Sequence, residues 1–202
     1  RRDRKTALAR GGAGDGGQGI ASFPEAGDGR YSGCEWEILM WSGGGNMDDK
    51  TLMRTAIQAR EFSYSPYSNF RVGAALLCKD GSVYTGCNME NAAYTPGICA
   101  ERTAIYKAVS EGQREFLAIA IAGGPAEVNA EEAGKGGCLP LTAPCGVCRQ
   151  VMAEFCDPES FRIILGTGEE ELQSYLLKEL LPLSFGPDNL CQTQPERKEN
   201  GL

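Results

Sequence analysis

The chain has 202 residues, of which 42% are hydrophobic and 23% are charged, which suits one globular domain and excludes a wholly disordered or fibrous protein. Its formal charge of −7 disfavours a nucleic acid polymer as partner. No apolar run approaches the roughly 18 residues of a membrane-spanning helix, which excludes a transmembrane protein and predicts no membrane partner. The absence of histidine excludes Ser-His-Asp, Cys-His and His-ligated metal sites.

Nine cysteines are many for a chain of this length. Their number is odd, their spacing is uneven, and no cleavable apolar leader precedes them, which argues against a secreted disulfide framework. Reduced thiols that are available to a metal ion are the better interpretation. We therefore expect a cytoplasmic protein, with the nucleus left open as a second compartment.

Residues 1–46 form a predicted disordered segment. They hold 12 of the 27 glycines and show no sustained helical or strand period. Such a segment buries too little apolar surface to offset its chain entropy. The basic start over residues 1–5 leaves a targeting peptide open as an alternative. A folded domain is predicted over residues 47–194, followed by a polar tail over residues 195–202.

The predicted elements of this domain alternate with Gly, Pro and Asn. Asp48 and Asp49 are acids that suit the start of a first helix. Residues 124–143 are predicted to be a loop that bulges into solvent, although loops of this length are unusual in a compact domain. The other segments are a hairpin of strands 72–78 and 83–88, helix 99–111, strand 116–122, helix 145–155, strand 161–166, and a strand passing into a helix over 169–181. This order predicts a mixed sheet covered by helices.

Two cysteine motifs open predicted helices. Cys145 and Cys148 form a Cys-x-x-Cys, which alone fits a redox pair, half of a zinc knuckle or chance. Cys99 opens the other helix, so three thiols can meet where two helix N-termini converge and leave the fourth position of a zinc ion open to water. Glu101 is then placed to take a proton from that water and redeliver it, and Arg102 to donate hydrogen bonds to a ligand thiolate.

The Cys-Ala-Glu-Arg sequence at residues 99–102, followed by Pro-Cys-x-x-Cys at residues 144–148, resembles the zinc-dependent nucleoside deaminases. The all-cysteine ligand set is similar to that of the small homotetrameric cytidine deaminases. The similarity extends over about residues 48–194, with further matching blocks at 65–76, 86–94, 99–105 and 179–187.

The resemblance implies an α/β fold, the cytidine-deaminase-like three-layer sandwich with a mixed five-stranded sheet covered by helices. It implies one zinc ion per subunit, held by Cys99, Cys145 and Cys148. The implied reaction is hydrolytic deamination of cytidine and deoxycytidine to uridine and deoxyuridine plus ammonia, in pyrimidine salvage. Glu101 would protonate ring N3, assist the attack of water at C4 and pass a proton to the leaving ammonia.

The resemblance also implies a nucleoside pocket and a homotetramer with composite active sites. The implied pocket residues are Phe70 against the pyrimidine ring, Asn88 and Glu90 on the ribose hydroxyls, the backbone of Ala100 on the base, and Tyr94 and Phe185 reaching across subunit interfaces to close a neighbour's pocket.

Three interpretations stay open at this point. Cys138, seven residues before Cys145, could fill the fourth zinc position and make the site structural. A related deaminase could act on another cytosine compound, such as a nucleoside antibiotic or a polynucleotide. A non-enzymatic zinc-stabilised protein is the third, against which the acid Glu101 argues.

Overall fold

The computed structural model describes residues 47–135 and 137–191. The predicted disordered segment 1–46 and the tail 195–202 lie outside the described residues. The elements in chain order are α1 (Asp49–Ala59), a 3-10 turn (Arg60–Phe62), β1 (Phe70–Cys78), β2 (Val83–Cys87), α2 (Ala100–Ser110), β3 (Phe116–Pro125), α3 (Ala130–Gly134), α4 (Gly146–Phe155), β4 (Arg162–Gly166), β5 (Leu172–Leu176), α5 (Leu177–Leu180) and α6 (Pro187–Cys191).

One five-stranded sheet organises these elements, in the strand order β2-β1-β3-β4-β5. Three of the neighbouring pairs are antiparallel, and β3 pairs with β4 in parallel. A parallel pair needs a crossover connection, which α4 supplies. The predicted mixed sheet covered by helices is therefore confirmed.

The two faces of the sheet bury different side chains. In β3, Ile119 and Ile121 point into the core formed with α2 and α4, whereas the intervening alanines point into the core formed with α1 and α3. This alternation follows from the two-residue period of a strand. Large side chains fill the space below α2 and α4, and small ones let α1 approach the sheet. The result is three layers, with one core on each side of the sheet.

Helix α1 begins where the sequence predicts. The Asp48 side chain caps it by accepting a hydrogen bond from Thr51 N at 2.7 Å. Leu52, Ala56 and Ile57 are buried against the sheet at helical spacing. Strand β1 comes so close that a Cβ added at Gly73 would lie 2.1 Å from Ala56 O, so only glycine fits there.

The prediction that residues 124–143 bulge into solvent is correct for most of their side chains but misses a helix and two buried anchors. Strand β3 continues to Pro125, and α3 follows with a capping box formed by Asn129 and Glu132. Ala133 and Leu139 are buried in the core shared with α1. The segment is polar in composition, but these two apolar side chains pack into that core.

The chain after β4 follows the prediction and adds one helix. Strand β5 passes directly into α5, and the predicted stop before Pro182 is confirmed. Helix α6 was not predicted, because five residues show no measurable period. Across the part of the chain that the structure describes, no helix has the length and apolar character needed to cross a bilayer.

Candidate metal centre

Three cysteine thiols converge where α2 and α4 begin. Cys99 is the N-cap residue of α2, Cys145 is the N-cap residue of α4, and Cys148 lies in the first turn of α4. The Sγ atoms lie within 4.8 Å of one another, with Cys99 to Cys145 at 3.9 Å and Cys145 to Cys148 at 3.4 Å. The predicted convergence of two helix N-termini on three thiols is confirmed.

The spacing of the three sulfur atoms fits a tetrahedral zinc ion. Zinc–thiolate bonds of about 2.3 Å in a tetrahedron place the sulfur atoms about 3.8 Å apart. Within residues 47–135 and 137–191, the group that can hold a metal consists of these three thiols and does not include Cys138, which is exposed. Three protein ligands leave one coordination position for a water molecule or substrate, as in catalytic zinc sites.

The electrostatics of this cluster favour a thiolate. A hydrogen bond from the Cys148 thiol, assisted by the Arg102 guanidinium, lowers the pKa of Cys99 to about 5. The same hydrogen bond, together with burial, raises the pKa of Cys148. The N-termini of α2 and α4 add their positive dipole ends. A metal ion that replaces the proton shared by Cys148 and Cys99 would bind both sulfur atoms as thiolates.

Arg102 lies beside the cluster, as the sequence predicts. Its Nη2 atom is 4.0 Å from Cys99 Sγ and 3.4 Å from Gly97 O. Its Nε atom is buried and has no hydrogen-bond partner among the described residues. A cation with an unused donor next to three thiols suits a site whose ligands carry more negative charge than the metal neutralises.

Glu101 is a buried carboxylic acid two residues after Cys99. Only 4% of its surface is exposed. Burial raises the pKa of Glu101 to about 6, and the nearby charge of Cys99 acts in the same direction. A carboxyl group with a pKa near neutrality can both accept and release a proton, which is what a proton carrier needs.

Strand β2 holds the start of α2 in place. A Cβ added at Gly86 would lie 2.4 Å from Ala100 O and 2.5 Å from Ala104 N, so the strand and helix backbones are in direct contact. The hydroxyl of Thr103 donates to Cys87 O at 3.1 Å. The Cys99 ligand therefore sits on a helix whose first turn is fixed to the sheet.

A backbone bridge brings the chain after β2 next to Cys99. Met89 and Ile98 exchange two N–H···O hydrogen bonds of 2.9 Å each in an antiparallel bridge. Asn88 therefore lies opposite Cys99, and Glu90 lies opposite Gly97. The bridge thus places the backbone of both predicted sugar-binding residues beside the segment that leads into Cys99.

Asn88 is tied to the start of β1. Its Oδ1 atom accepts hydrogen bonds from Val72 N at 2.7 Å and from the Ser63 hydroxyl at 2.5 Å. Its Nδ2 atom donates to Phe70 O at 3.0 Å. The predicted ring-stacking residue and a predicted sugar-binding residue therefore belong to one hydrogen-bonded unit.

Glu90 holds the turn that precedes Phe70. Its carboxylate accepts from Tyr67 N at 2.9 Å and from Ser68 N at 3.2 Å. Hydrogen bonds from Ser68, chiefly from its hydroxyl, lower the pKa of Glu90, so it is ionised at neutral pH. Phe70 N donates to the same hydroxyl oxygen at 3.1 Å, which continues the network to the candidate stacking residue.

The remaining predicted site residues lie in different environments. Ala100 is fully buried in the first turn of α2, beside Cys99. Tyr94 is fully exposed in the loop that the Met89–Ile98 bridge closes, and Phe185 is 59% exposed. Gln150 donates to Phe185 O at 2.8 Å, which ties the segment after α5 to α4. Within this chain, Tyr94 and Phe185 are therefore surface side chains.

Two side chains of this region were missed by sequence reasoning. Ser63 bonds to Asn88, as described above. Arg60 is fully buried and donates to the carbonyl oxygens of Arg71, Gly124, Pro125 and Val128, which joins the starts and ends of neighbouring strands. Arg60 follows the apolar spacing of α1, so a charged residue at a core position was the signal for a buried structural arginine.

Comparison with known proteins agrees with this geometry. The model of the cytidine and deoxycytidylate deaminase zinc-binding region matches residues 46–163. A cytidine deaminase of Halalkalibacterium halodurans is 46% identical over 144 residues, which are 71% of this chain and 98% of that protein. One from Sporosarcina psychrophila is 43% identical over 144 residues, 71% of this chain and 96% of that protein.

Solved structures show the same fold. The crystal structure of a cytidine deaminase from Burkholderia pseudomallei has a TM-score of 0.59 and 41% sequence identity, and it matches 69% of this chain and 100% of its own. One from Mycobacterium tuberculosis has a TM-score of 0.54 and 35% identity, with 70% and 99% covered. The three-layer fold that the resemblance implies is therefore confirmed.

Proposed function

Since this chain belongs to the cytidine deaminase family, we propose that it catalyses the zinc-dependent hydrolytic deamination of cytidine and deoxycytidine, releasing ammonia. The observation that carries this proposal is the buried Glu101 carboxyl group beside three converging thiols. A purely structural zinc site needs neither an open coordination position nor a carboxylic acid next to it.

Cys99, Cys145 and Cys148 would hold the zinc ion. The chemistry that it supplies when bound is a water molecule acidic enough to act as a nucleophile near pH 7. Glu101 takes a proton from this water and delivers it to ring N3 of the base. It then takes the proton of the hydroxyl group added at C4 and delivers it to the leaving amine, so that uridine and ammonia are released. One carboxyl group serves these steps in turn because it receives a proton before giving one away.

The substrate proposed for this site is a neutral nucleoside. Phe70 offers an aromatic face for the pyrimidine ring, Asn88 and Glu90 offer a donor and an acceptor for sugar hydroxyls, and the backbone at Ala100 offers polar groups to the base. A free nucleoside as substrate supports a role in pyrimidine salvage. The reduced thiols of the cluster favour the cytoplasm as location.

A decisive experiment measures the conversion of cytidine to uridine by the full chain, with zinc quantified in the same sample. The Glu101→Gln variant keeps the shape of the side chain but cannot carry the proton, so we expect kcat to fall by at least about 100-fold with the zinc content unchanged. Glu154→Gln, at an exposed position of α4, is the matched control. Full turnover by Glu101→Gln would refute the mechanism, and a zinc-loaded wild type without turnover would point to other cytosine compounds.

We also propose that the chain forms a homotetramer in which Tyr94 and Phe185 close the pockets of neighbouring subunits. Their exposure supports this assignment, as does Leu183, which is fully exposed with a left-handed φ of 56°. Exposed apolar groups of this kind are typical of interaction surfaces. Specific activity should fall on dilution in step with the tetramer fraction measured by analytical ultracentrifugation. Full specific activity in a monomeric sample would exclude composite sites.

A further inference from the structure

The Ser63 hydroxyl lies 2.5 Å from Asn88 Oδ1, and neither the cysteine motifs nor the reaction accounts for it. Ser63 is half-buried between the 3-10 turn and β1. Its only hydroxyl hydrogen bond within the described ranges goes to a proposed sugar-binding side chain.

The direction of every hydrogen bond around Asn88 follows from its backbone partners. Val72 N–H can only donate, so the Asn88 atom that faces it is the amide oxygen. Phe70 C=O can only accept, so the atom that faces it is the amide nitrogen. The Ser63 hydroxyl must therefore donate its proton to Asn88 Oδ1.

This donation occupies the second lone pair of the amide oxygen. With Val72 and Ser63 both donating to Oδ1, Asn88 has one N–H left for a ligand and can act on it only as a donor. Glu90, being ionised, can act only as an acceptor. A group that meets this pair must accept from Asn88 and donate to Glu90, and a hydroxyl group does both.

We propose that Ser63 is a positioning residue which, through Asn88, makes the pocket selective for a sugar hydroxyl. The inference rests on the proposed function and extends it to a residue that touches no substrate. Removal of the Ser63 hydroxyl frees one acceptor site on the Asn88 amide and loosens its orientation. Substrates whose sugar hydroxyl contacts Asn88 should therefore bind more weakly, whereas the reaction at the base should be unaffected.

The test measures KM and kcat for cytidine, 2′-deoxycytidine and 3′-deoxycytidine. Asn88→Ala first shows which sugar hydroxyl Asn88 contacts. The deoxynucleoside that lacks this hydroxyl has no contact to lose, so its KM changes least. Ser63→Ala should then raise KM for cytidine about fivefold, the effect of one hydrogen bond, with kcat within about twofold of wild type. For the identified deoxynucleoside, KM should not change.

Two further variants separate positioning from general loosening. Ser63→Thr keeps the hydroxyl and should restore the KM for cytidine. Ser63→Ala combined with Asn88→Ala should be no worse than Asn88→Ala alone, because both changes act on the same interaction. Ser110→Ala is the matched control, since it removes an exposed serine hydroxyl that donates to Lys107 O at the far end of α2.

Either of two results would overturn the inference. One is an equal rise in KM for cytidine and for the identified deoxynucleoside, which would mean that Ser63 only stabilises the fold. The other is an unchanged KM for cytidine in Ser63→Ala. A wild-type chain that does not deaminate cytidine would instead refute the proposed function, which is a separate outcome.

Discussion

Asn88 and Glu90 each have a structural role in addition to the sugar-binding role proposed for them. Asn88 and Glu90, which are suited to a sugar, also hold the backbone on both sides of Phe70. Their orientation is therefore set before any ligand binds, and little conformational entropy remains to be lost on binding. The same holds for Cys99, whose position is fixed by its place at the start of α2.

The ligand set makes a prediction for individual cysteines. Cys145→Ala should lose zinc and lower the stability of the domain, because metal binding and folding are coupled. Cys138→Ala should keep about one zinc ion per chain and its full activity, since Cys138 is exposed and outside the thiol group. Zinc analysis and thermal unfolding of both variants check this. A stable, zinc-loaded Cys145→Ala protein would mean that the ligands are assigned wrongly.

The sequence predicted the convergence of the three cysteines, but not the long-range hydrogen bonds that hold the neighbouring segments. Cys-Ala-Glu-Arg and Cys-x-x-Cys are each local motifs at a helix start. The resemblance that the two motifs carry together predicts that they meet, although Cys99 and Cys145 are 46 residues apart. The bond between Ser63 and Asn88 joins residues 25 apart in sequence, and Arg60 reaches carbonyl groups up to 68 residues away. Such contacts depend on how strands are placed side by side, and no local pattern encodes them.

At the scale of elements, the contact between β2 and α2 controls the metal centre. Gly86 lets the strand touch the backbone of Ala100 and Ala104. Any side chain at this position pushes the first turn of α2, and Cys99 with it, away from the two cysteines of α4. The geometry of the thiol group therefore depends on a residue that carries no functional group.

Gly86→Ala tests this dependence. We expect a loss of stability of about 1–3 kcal/mol from overpacking, together with a lower zinc content and lower activity. Gly146→Ala is the control, because a Cβ at that position has nothing within 4 Å although it lies between two proposed ligands in sequence. Normal zinc content in Gly86→Ala, or zinc loss in Gly146→Ala, would contradict this account.

The segment 124–143 shows where element prediction failed. Its Gly-rich and Glu-rich composition is typical of a solvent-exposed loop, and α3 is too short for its period to be recognised. Two of its apolar side chains, Ala133 and Leu139, are nevertheless buried in the core shared with α1. Composition averages over the segment, whereas packing depends on those two side chains.

For the whole molecule, the sheet separates two cores, and the thiol group is attached to one of them. Cys148 belongs to the core beneath α2 and α4, which also contains Ala100. The metal therefore joins two helices over this core and should stabilise the domain as a unit.

Zinc removal tests this link. Dialysis against a strong chelator should lower Tm by about 10 °C or more, and added zinc should restore it. In Cys145→Ala the same chelator should have no effect on Tm. Differential scanning calorimetry makes the comparison, and an unchanged Tm of the wild type after complete zinc removal would show that the metal plays no part in stability.

The Met89–Ile98 bridge has a consequence for how such enzymes diversify. Its two hydrogen bonds hold both ends of the loop over residues 90–97 together. Insertions, deletions or replacements inside that loop therefore need not displace Cys99. Changes in this loop can therefore alter the surface beside Cys99 while the geometry of the thiol group is kept. For the same reason, loops can be grafted between Glu90 and Gly97 to test for acceptance of other nucleoside analogues, because such grafts keep both the bridge and the Glu90 carboxylate.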